Sequence, residues 1–408
     1  MSVSTTSPLL RSPGFLTVWG VGALNSTGRW LEMLVFAVFV LDVTGSPLLV
    51  ASMLMLRLLP MALFGLFGGI LAARFPRWQI LRLGSATTAA MGLGLAALAY
   101  TETLSVWHCG AAAFISGLVW CTDFPVRRTL MGDIAGTERI GRAMSLDILA
   151  GSVTRMLGPL LGGILYQEIG LSGAFLLGAA LYVVGLLALM IIAVPETNPP
   201  SAESIVANLR TGLRLVKDNH VLQGILGITV VFNLWGFPFV SMVPVFGKEV
   251  LSLNDALTGL LTSAEGAGSL AGALLLATFS TTQQARYIYV ISVLSYCAFC
   301  LLFAQSNAAW ITGTLLLFVG LVSAGFGAMQ SALILINSPQ DYQRQMMGVL
   351  SLCIGTAPLG FLHIGMLADW LGVAMACTIT ALEGLLAMGL VLWWRPALLS
   401  RQPTTSAA

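Results

Sequence analysis

Eight charged residues fall inside long apolar runs of this chain: Arg29, Glu32, Arg57, Asp123, Asp147, Arg155, Glu265 and Glu383. His363 adds a titratable group in similar surroundings. A charge within hydrocarbon is expensive unless it is paired or wetted, so each marks a functional site by default. Arg29 and Glu32 lie three apart in "GALNSTGRWLEMLVFAVFVL", where a helix brings them to one face with Asn25 a turn away. That spacing predicts either mutual neutralisation or a polar contact that a substrate or a proton disrupts. Asp123 and Arg127, four apart, predict a structural pair. Asp147 and Arg155 fall on roughly one face of another run. Glu265 in "LLTSAEGAGSLAG" has no basic residue within a helical turn. Such a carboxylate suits a proton carrier, which loads and releases near physiological pH. Glu383 and His363 read as separate packing residues.

The elements that must hold these residues follow from composition. The 408 residues are 57% hydrophobic and only 9% charged, where a soluble domain carries about 25% charged residues. The chain is therefore an integral membrane protein. Each run long enough to cross hydrocarbon as a helix needs about 20 apolar residues. Such runs fall near 15–41, 47–72, 78–100, 106–130, 140–167, 171–194, 220–247, 254–280, 286–305, 309–336, 343–370 and 373–394. A transmembrane barrel is excluded, because its strands alternate polar and apolar positions and "LFGLFGGILAA" does not.

The basic residues give the orientation, since Lys and Arg are retained on the cytoplasmic side. With the N-terminus inside, that side receives Arg11, Arg74, Arg77, Arg82, Arg127, Arg128 and most other cations, while the outer loops keep only Lys248. Both termini are then cytoplasmic and the protein lies in a cell (inner) membrane. No cleavable leader is expected, because the first apolar run is too long for one. The basic balance reports topology and implies no nucleic-acid partner. The six cysteines, including Cys297 and Cys300 in "SYCAFCLL", sit in apolar context and read as packing. Three scattered histidines make no metal or haem site, and neither lysine fits a phosphate-cradling loop. No cofactor, no metal and no ATP hydrolysis are expected.

The polar stretch "VPETNPPSAESIVANLRTGLRLVKDNH" divides the chain near its middle. The expected organisation is a six-helix bundle over 1–194, a linker over 195–219 with a short amphipathic helix, a second six-helix bundle over 220–395, and a tail over 396–408. The halves echo each other at a constant offset: Arg142 and Met144 with Arg344 and Met346, and Gly163, Leu165 and Gly170 with Gly365, Leu367 and Gly372. Two repeated bundles can rock around a site near the midplane, as many secondary carriers do. The 44 glycines, in runs such as "GPLLGGILY", put small residues at helical spacing where backbones approach closely.

These residues resemble a known family. "GGILAARFPRWQIL" is similar to the G-x-L-A-D-R-x-G-R-R signature of the major facilitator superfamily, with Arg74 and Arg77 matching but Ala73 and Pro76 departing from it. "GSVTRMLGPLLGG" resembles that superfamily's antiporter motif through Gly158, Pro159, Gly162 and Gly163. "VLDVTGSPLLVASMLMLRLLP" and "FPVRRTLMGDIAGTERIGRAMSL" resemble its exporter branch, which includes macrolide efflux pumps and the enterobactin exporter. No arginine stands where the fourth span often carries an R-x-x-Q-G motif.

The resemblance implies an all-α membrane fold of twelve transmembrane helices in two bundles, and a secondary transporter. The leading expectation is a proton-coupled, monomeric exporter of amphipathic small molecules. Uptake of a small metabolite and a non-transporting sensor are the rivals. It further implies a cavity lined mainly by the first, fourth, seventh and tenth spans, with contributions from the second, fifth, eighth and eleventh, where Asn25, Arg29, Glu32, Trp120, Phe124, Arg155, Asn233 and Trp235 would contact substrate. Glu265 and Glu32 are the proton-coupling candidates. Arg74 and Arg77, with Asp133 as receiving acid, form a rewired inner gate, and Gly158-Pro159 with Gly162 and Gly163 presents a kinked, flat face to the other bundle. The seventh span is expected to break, since Pro238 and Pro244 interrupt it.

Overall fold

A computed structural model describes residues 9–74, 76–136, 138–191 and 205–398, with the side chains of 65–74, 205–210, 218, 282, 341, 344 and 397 outside that description. The fourteen α-helices among the described residues are α1 (Pro13–Thr44), α2 (Pro47–Arg74), α3 (Arg77–Tyr100), α4 (Val106–Ala135), α5 (Ile140–Ile191), α6 (Ile205–Asp218) and α7 (His220–Val231), then α8 (Met242–Glu249), α9 (Asp255–Phe279), α10 (Ala285–Ala304), α11 (Ala309–Ile336), α12 (Gln343–Ile354), α13 (Ala357–Leu371) and α14 (Val373–Trp394). Helices satisfy their own backbone groups, the requirement that hydrocarbon imposes. The expectation of twelve spans meets ten stretches long and apolar enough to cross a membrane among the described residues. Two differences account for the gap. The 52-residue α5 joins two expected spans and breaks at Gly170, whose φ of 73° no L-residue readily adopts. The charge-bearing α1 is not among the ten.

The seventh expected span does break. After α7 a π-helical turn runs over Phe232–Gly236 and a 3-10 turn over Phe237–Ser241, before α8 resumes. Pro238 falls in that irregular stretch, while Pro244 sits in the first turn of α8, where its missing N–H leaves no bond unmade. The predicted linker helix is α6, whose Gly212 packs on Gln345 and Val349 of α12.

Small residues set how closely the helices meet. A Cβ on Gly117 of α4 would strike the Arg57 carbonyl of α2, and one on Gly268 of α9 would strike the Leu317 carbonyl of α11. The same closeness joins the two halves of the chain. Gly163 of α5 approaches α9 so tightly that a Cβ there would lie 2.5 Å from the Asp255 carbonyl and 2.9 Å from Gly259 Cα. Gly365 of α13 approaches α2, where a Cβ would lie 2.8 Å from Ala51 Cβ and 3.1 Å from Leu48 Cα. Positions matched along the sequence thus make matched contacts. Gly170 and Gly372, also matched, both take positive φ, 73° and 83°.

Candidate functional site

Two other helices of the first half converge on Glu32 of α1, which is 1% exposed. Arg57 of α2 stands 3.9 Å from its carboxylate, and Tyr182 from the later part of α5 packs over Gly28, one turn away. Arg57 is fixed from both sides, donating to the Arg29 carbonyl at 2.9 Å and to Ser116 Oγ of α4 at 3.0 Å. Arg29 itself turns to Asp123 of α4, at 3.9 Å. The expected mutual pairing of Arg29 with Glu32 is therefore replaced by one partner from each neighbouring helix. Asn25 is buried and donates to Ser85 Oγ of α3 at 3.3 Å, so it braces α1 against α3.

A second polar layer lies further along α4. Asp123 has Arg127 at 3.9 Å, as the spacing predicts, but Arg127 is shared with Asp147 of α5 through a shorter ion pair. Arg128 Nε also donates to Asp147, at 2.9 Å. Asp147 is therefore taken up by two arginines of α4 and does not pair with Arg155. Trp120 and Phe124 meet edge to face at 5.9 Å, and the Arg128 guanidinium lies 4.2 Å above the Phe124 ring.

Arg155 has a partner in the other half of the chain. Its Nη2 stands 2.6 Å from Glu265 Oε1 of α9, and its guanidinium lies 5.1 Å from the Trp30 ring of α1. Glu265 was expected to lack a basic partner because none lies near it on its own helix. The structure corrects this: the cation arrives from α5, where Gly266 lets the backbones of Arg155 and Met156 pass closely. Ser323 of α11 also faces the carboxylate. This pair ties α5 to α9 within the apolar interior, with Glu265 4% exposed.

Charged groups likewise gather where Gly163 meets α9. Lys248 at the end of α8 bridges Asp255 at 2.5 Å and Asp42 of α1 at 3.2 Å. Gln167 accepts from the Ala256 backbone at 3.2 Å, and Ser46 donates to Asp369 at 2.7 Å. Each of the Asp42, Gln167 and Ser46 contacts crosses between the halves. Neither Lys248 nor Tyr182 stands out from sequence as a site residue, although Lys248 is one of only two lysines in the chain.

The remaining sequence-derived positions divide. Arg77 pairs with Asp133, while the Arg74 side chain lies outside the described residues. Gly158 and Gly162 pack on Trp30 and Leu31 of α1, in the same half, while Pro159 and Gly163 of that motif meet Gly259 of α9 in the other half. Asn233 is 5% exposed and donates back to the Thr229 carbonyl of its own helix at 2.9 Å. Trp235 does not pair with any of the cavity residues named above; its Nε1 donates to Glu383 Oε2 at 3.0 Å. Glu383 and His363, expected as separate packing residues, are 2.7 Å apart.

The sequence pattern of the Major Facilitator Superfamily matches residues 18–358. The chain belongs to that superfamily. It is thus a multi-pass membrane transporter of the major facilitator type, not an enzyme. Two relatives extend along nearly all of this major facilitator protein. The staphyloferrin A transporter of Staphylococcus aureus is 19% identical over 362 residues, covering 87% of this chain and 90% of its own. Macrolide efflux protein A of Streptococcus pyogenes is 19% identical over 374 residues, covering 88% and 90%. A solved bacterial homologue of the human lysosomal transporter Spinster, inward-facing and unoccupied, has a TM-score of 0.73. It is 13% identical, with 98% of this chain and 100% of that one covered, and shows the shared fold.

Proposed function

We propose that this major facilitator protein is a proton-coupled exporter of amphipathic small organic molecules, working by alternating access as a monomer in an inner membrane. On this reading the chain crosses twelve times: α5 crosses twice around Gly170, and α1 is a further span whose charges are covered by α2, α4 and α5. Both termini face the cytoplasm, as the distribution of basic residues supports. The two bundles are residues 1–194 and 220–395.

The observation that carries the reading is the Arg155–Glu265 pair, because it joins the two halves through a proton-accepting group. When Glu265 is ionised, Arg155 holds α5 against α9. A proton on Glu265 removes the charge that Arg155 answers, loosening one tie across the interface and freeing a guanidinium beside Trp30. With the termini inside, contacts between the halves at Gly163, Gly365 and Lys248 fall at the outer end, which supports reading this state as one that faces the cytoplasm. Arg29, whose side chain is 16% exposed, and the Trp120 and Phe124 rings supply a charged and an aromatic surface for an amphipathic molecule. Efflux relatives support the exporting direction and the substrate class.

The test is transport of a macrolide into everted membrane vesicles. Acidifying the vesicle interior should drive accumulation, and collapsing the gradient should release it. Accumulation by intact cells down an inward proton gradient would instead establish uptake.

A further inference from the structure

Trp235, His363 and Glu383 come from three different elements and converge on one oxygen atom. Trp235 Nε1 donates to Glu383 Oε2 at 3.0 Å, and His363 Nε2 lies 2.7 Å from that same oxygen. His363 belongs to α13, Glu383 to α14, and Trp235 to the π-helical turn that interrupts the seventh span. Gly384, next to Glu383, lets α14 approach that turn closely enough that a Cβ would lie 3.2 Å from Trp235 Cβ. More than a third of both the His363 and the Glu383 side chains is open to the surroundings of the bundle.

We propose that His363 and Glu383 bind one proton within the membrane, and that Trp235 passes the occupancy of this site to the break after α7. The charge balance is simple. With a neutral imidazole beside an ionised carboxylate, the site carries one uncompensated negative charge among apolar helices. Adding a proton gives imidazolium beside carboxylate and no net charge, which the bilayer tolerates far better. Among the described residues, neither His363 nor Glu383 has a second ion-pair partner. Cys297 of α10 lies under Gly384, with Tyr296 and Cys300 alongside it on that helix. Cys377 of α14 is buried, and Asp369 of α13 is engaged by Ser46 of the first half. The sequence of α14 before Arg395 contains no basic residue, and His363 is the one basic residue of α13.

Occupancy matters because the acceptor of the Trp235 indole is the titrating carboxylate. A π-helical turn followed by a 3-10 turn has two irregular registers in succession and is the part of the span most able to change its hydrogen bonding. Drawing electron density from Oε2 toward His363 weakens its hold on Trp235. The site shares no residue and no helix with the Arg155–Glu265 pair. It stands whether the transport direction and substrate proposed above are right or wrong.

Full-length protein labelled with 15N-histidine in detergent micelles, without substrate, provides the test. The chain has three histidines, so His363→Gln assigns the resonance. The His363 ring resonance should respond to pH, and that response should change in Glu383→Gln, because the two groups share the contact at Glu383 Oε2. The emission difference between the protein and Trp235→Phe should follow the same pH response in otherwise unaltered protein, which keeps the proposal testable if Glu383→Gln fails to fold. Glu265→Gln should leave the His363 response as it is. A His363 ring that does not respond to pH, a response indifferent to Glu383→Gln, or a Trp235 signal that ignores pH would each overturn the proposal. So would loss of the response in Glu265→Gln.

Discussion

Arg155 of α5 and Glu265 of α9 form an ion pair across the two halves of the chain, with 2.6 Å between Nη2 and Oε1. It sits where Gly266 brings the helix backbones together, so the contact is set by packing as much as by charge. Its consequences differ from those of the ion pairs confined to one half.

The Arg57–Glu32 pair lies within the first half and should report on stability. Arg57→Met leaves Glu32 buried with its nearest cation gone, a change that costs about 3–5 kcal/mol in comparable buried pairs. Thermal unfolding in detergent should show a clearly lowered midpoint for Arg57→Met, with most of the loss recovered in Arg57→Met/Glu32→Gln. An undisturbed midpoint in the single variant would mean that Glu32 does not depend on Arg57.

Gly163 should govern closure. A valine at this position meets the Asp255 carbonyl and Gly259, which are backbone and cannot turn aside. Overpacking of this kind costs about 1–3 kcal/mol, enough to shift a two-state equilibrium by roughly tenfold. Thr258, buried beside this contact, provides the reporter: in Thr258→Cys, an impermeant maleimide should react faster once Gly163→Val is added. Equal rates would show that the ends separate elsewhere.

Lys248 should act on the same equilibrium with little effect on folding. Its contacts with Asp42 and Asp255 are partly exposed, and such pairs contribute about 0–1 kcal/mol. Lys248→Met should keep the unfolding midpoint nearly unchanged while raising Thr258→Cys labelling, and high salt should narrow the difference between the two proteins. A large drop in midpoint would assign Lys248 a folding role.

The six cysteines are unbridged and mostly buried, Cys297 and Cys300 included despite their C-x-x-C spacing. Reductant should change neither the unfolding midpoint nor transport. A shift in either on reduction would reveal a disulfide or metal function for that motif.

Much of the helical layout was legible from apolar runs, and the irregular stretch after α7 was legible from Pro238. What the sequence could not supply was the partner of a charge on another helix. Reading along one helix pairs Asp123 with Arg127 and leaves Glu265 alone, because residues beyond a turn or two are invisible to that argument. Arg155–Glu265 and His363–Glu383 both form between elements that only the tertiary packing brings together. The same limit explains Gly158 and Gly162: a small-residue face is recognisable, but which helix occupies it is not. The irregular turn at Phe232–Gly236 changed what Trp235 faces, from an expected cavity to Glu383.

The central claim is that a proton on Glu265 competes with Arg155 and thereby couples the gradient to movement of the halves. Glu265→Gln in proteoliposomes tests it most directly, with macrolide transport followed both under a pH gradient and as exchange without one. Gradient-driven transport should disappear while exchange and macrolide binding persist. Gradient-driven transport at the unaltered rate would contradict the account.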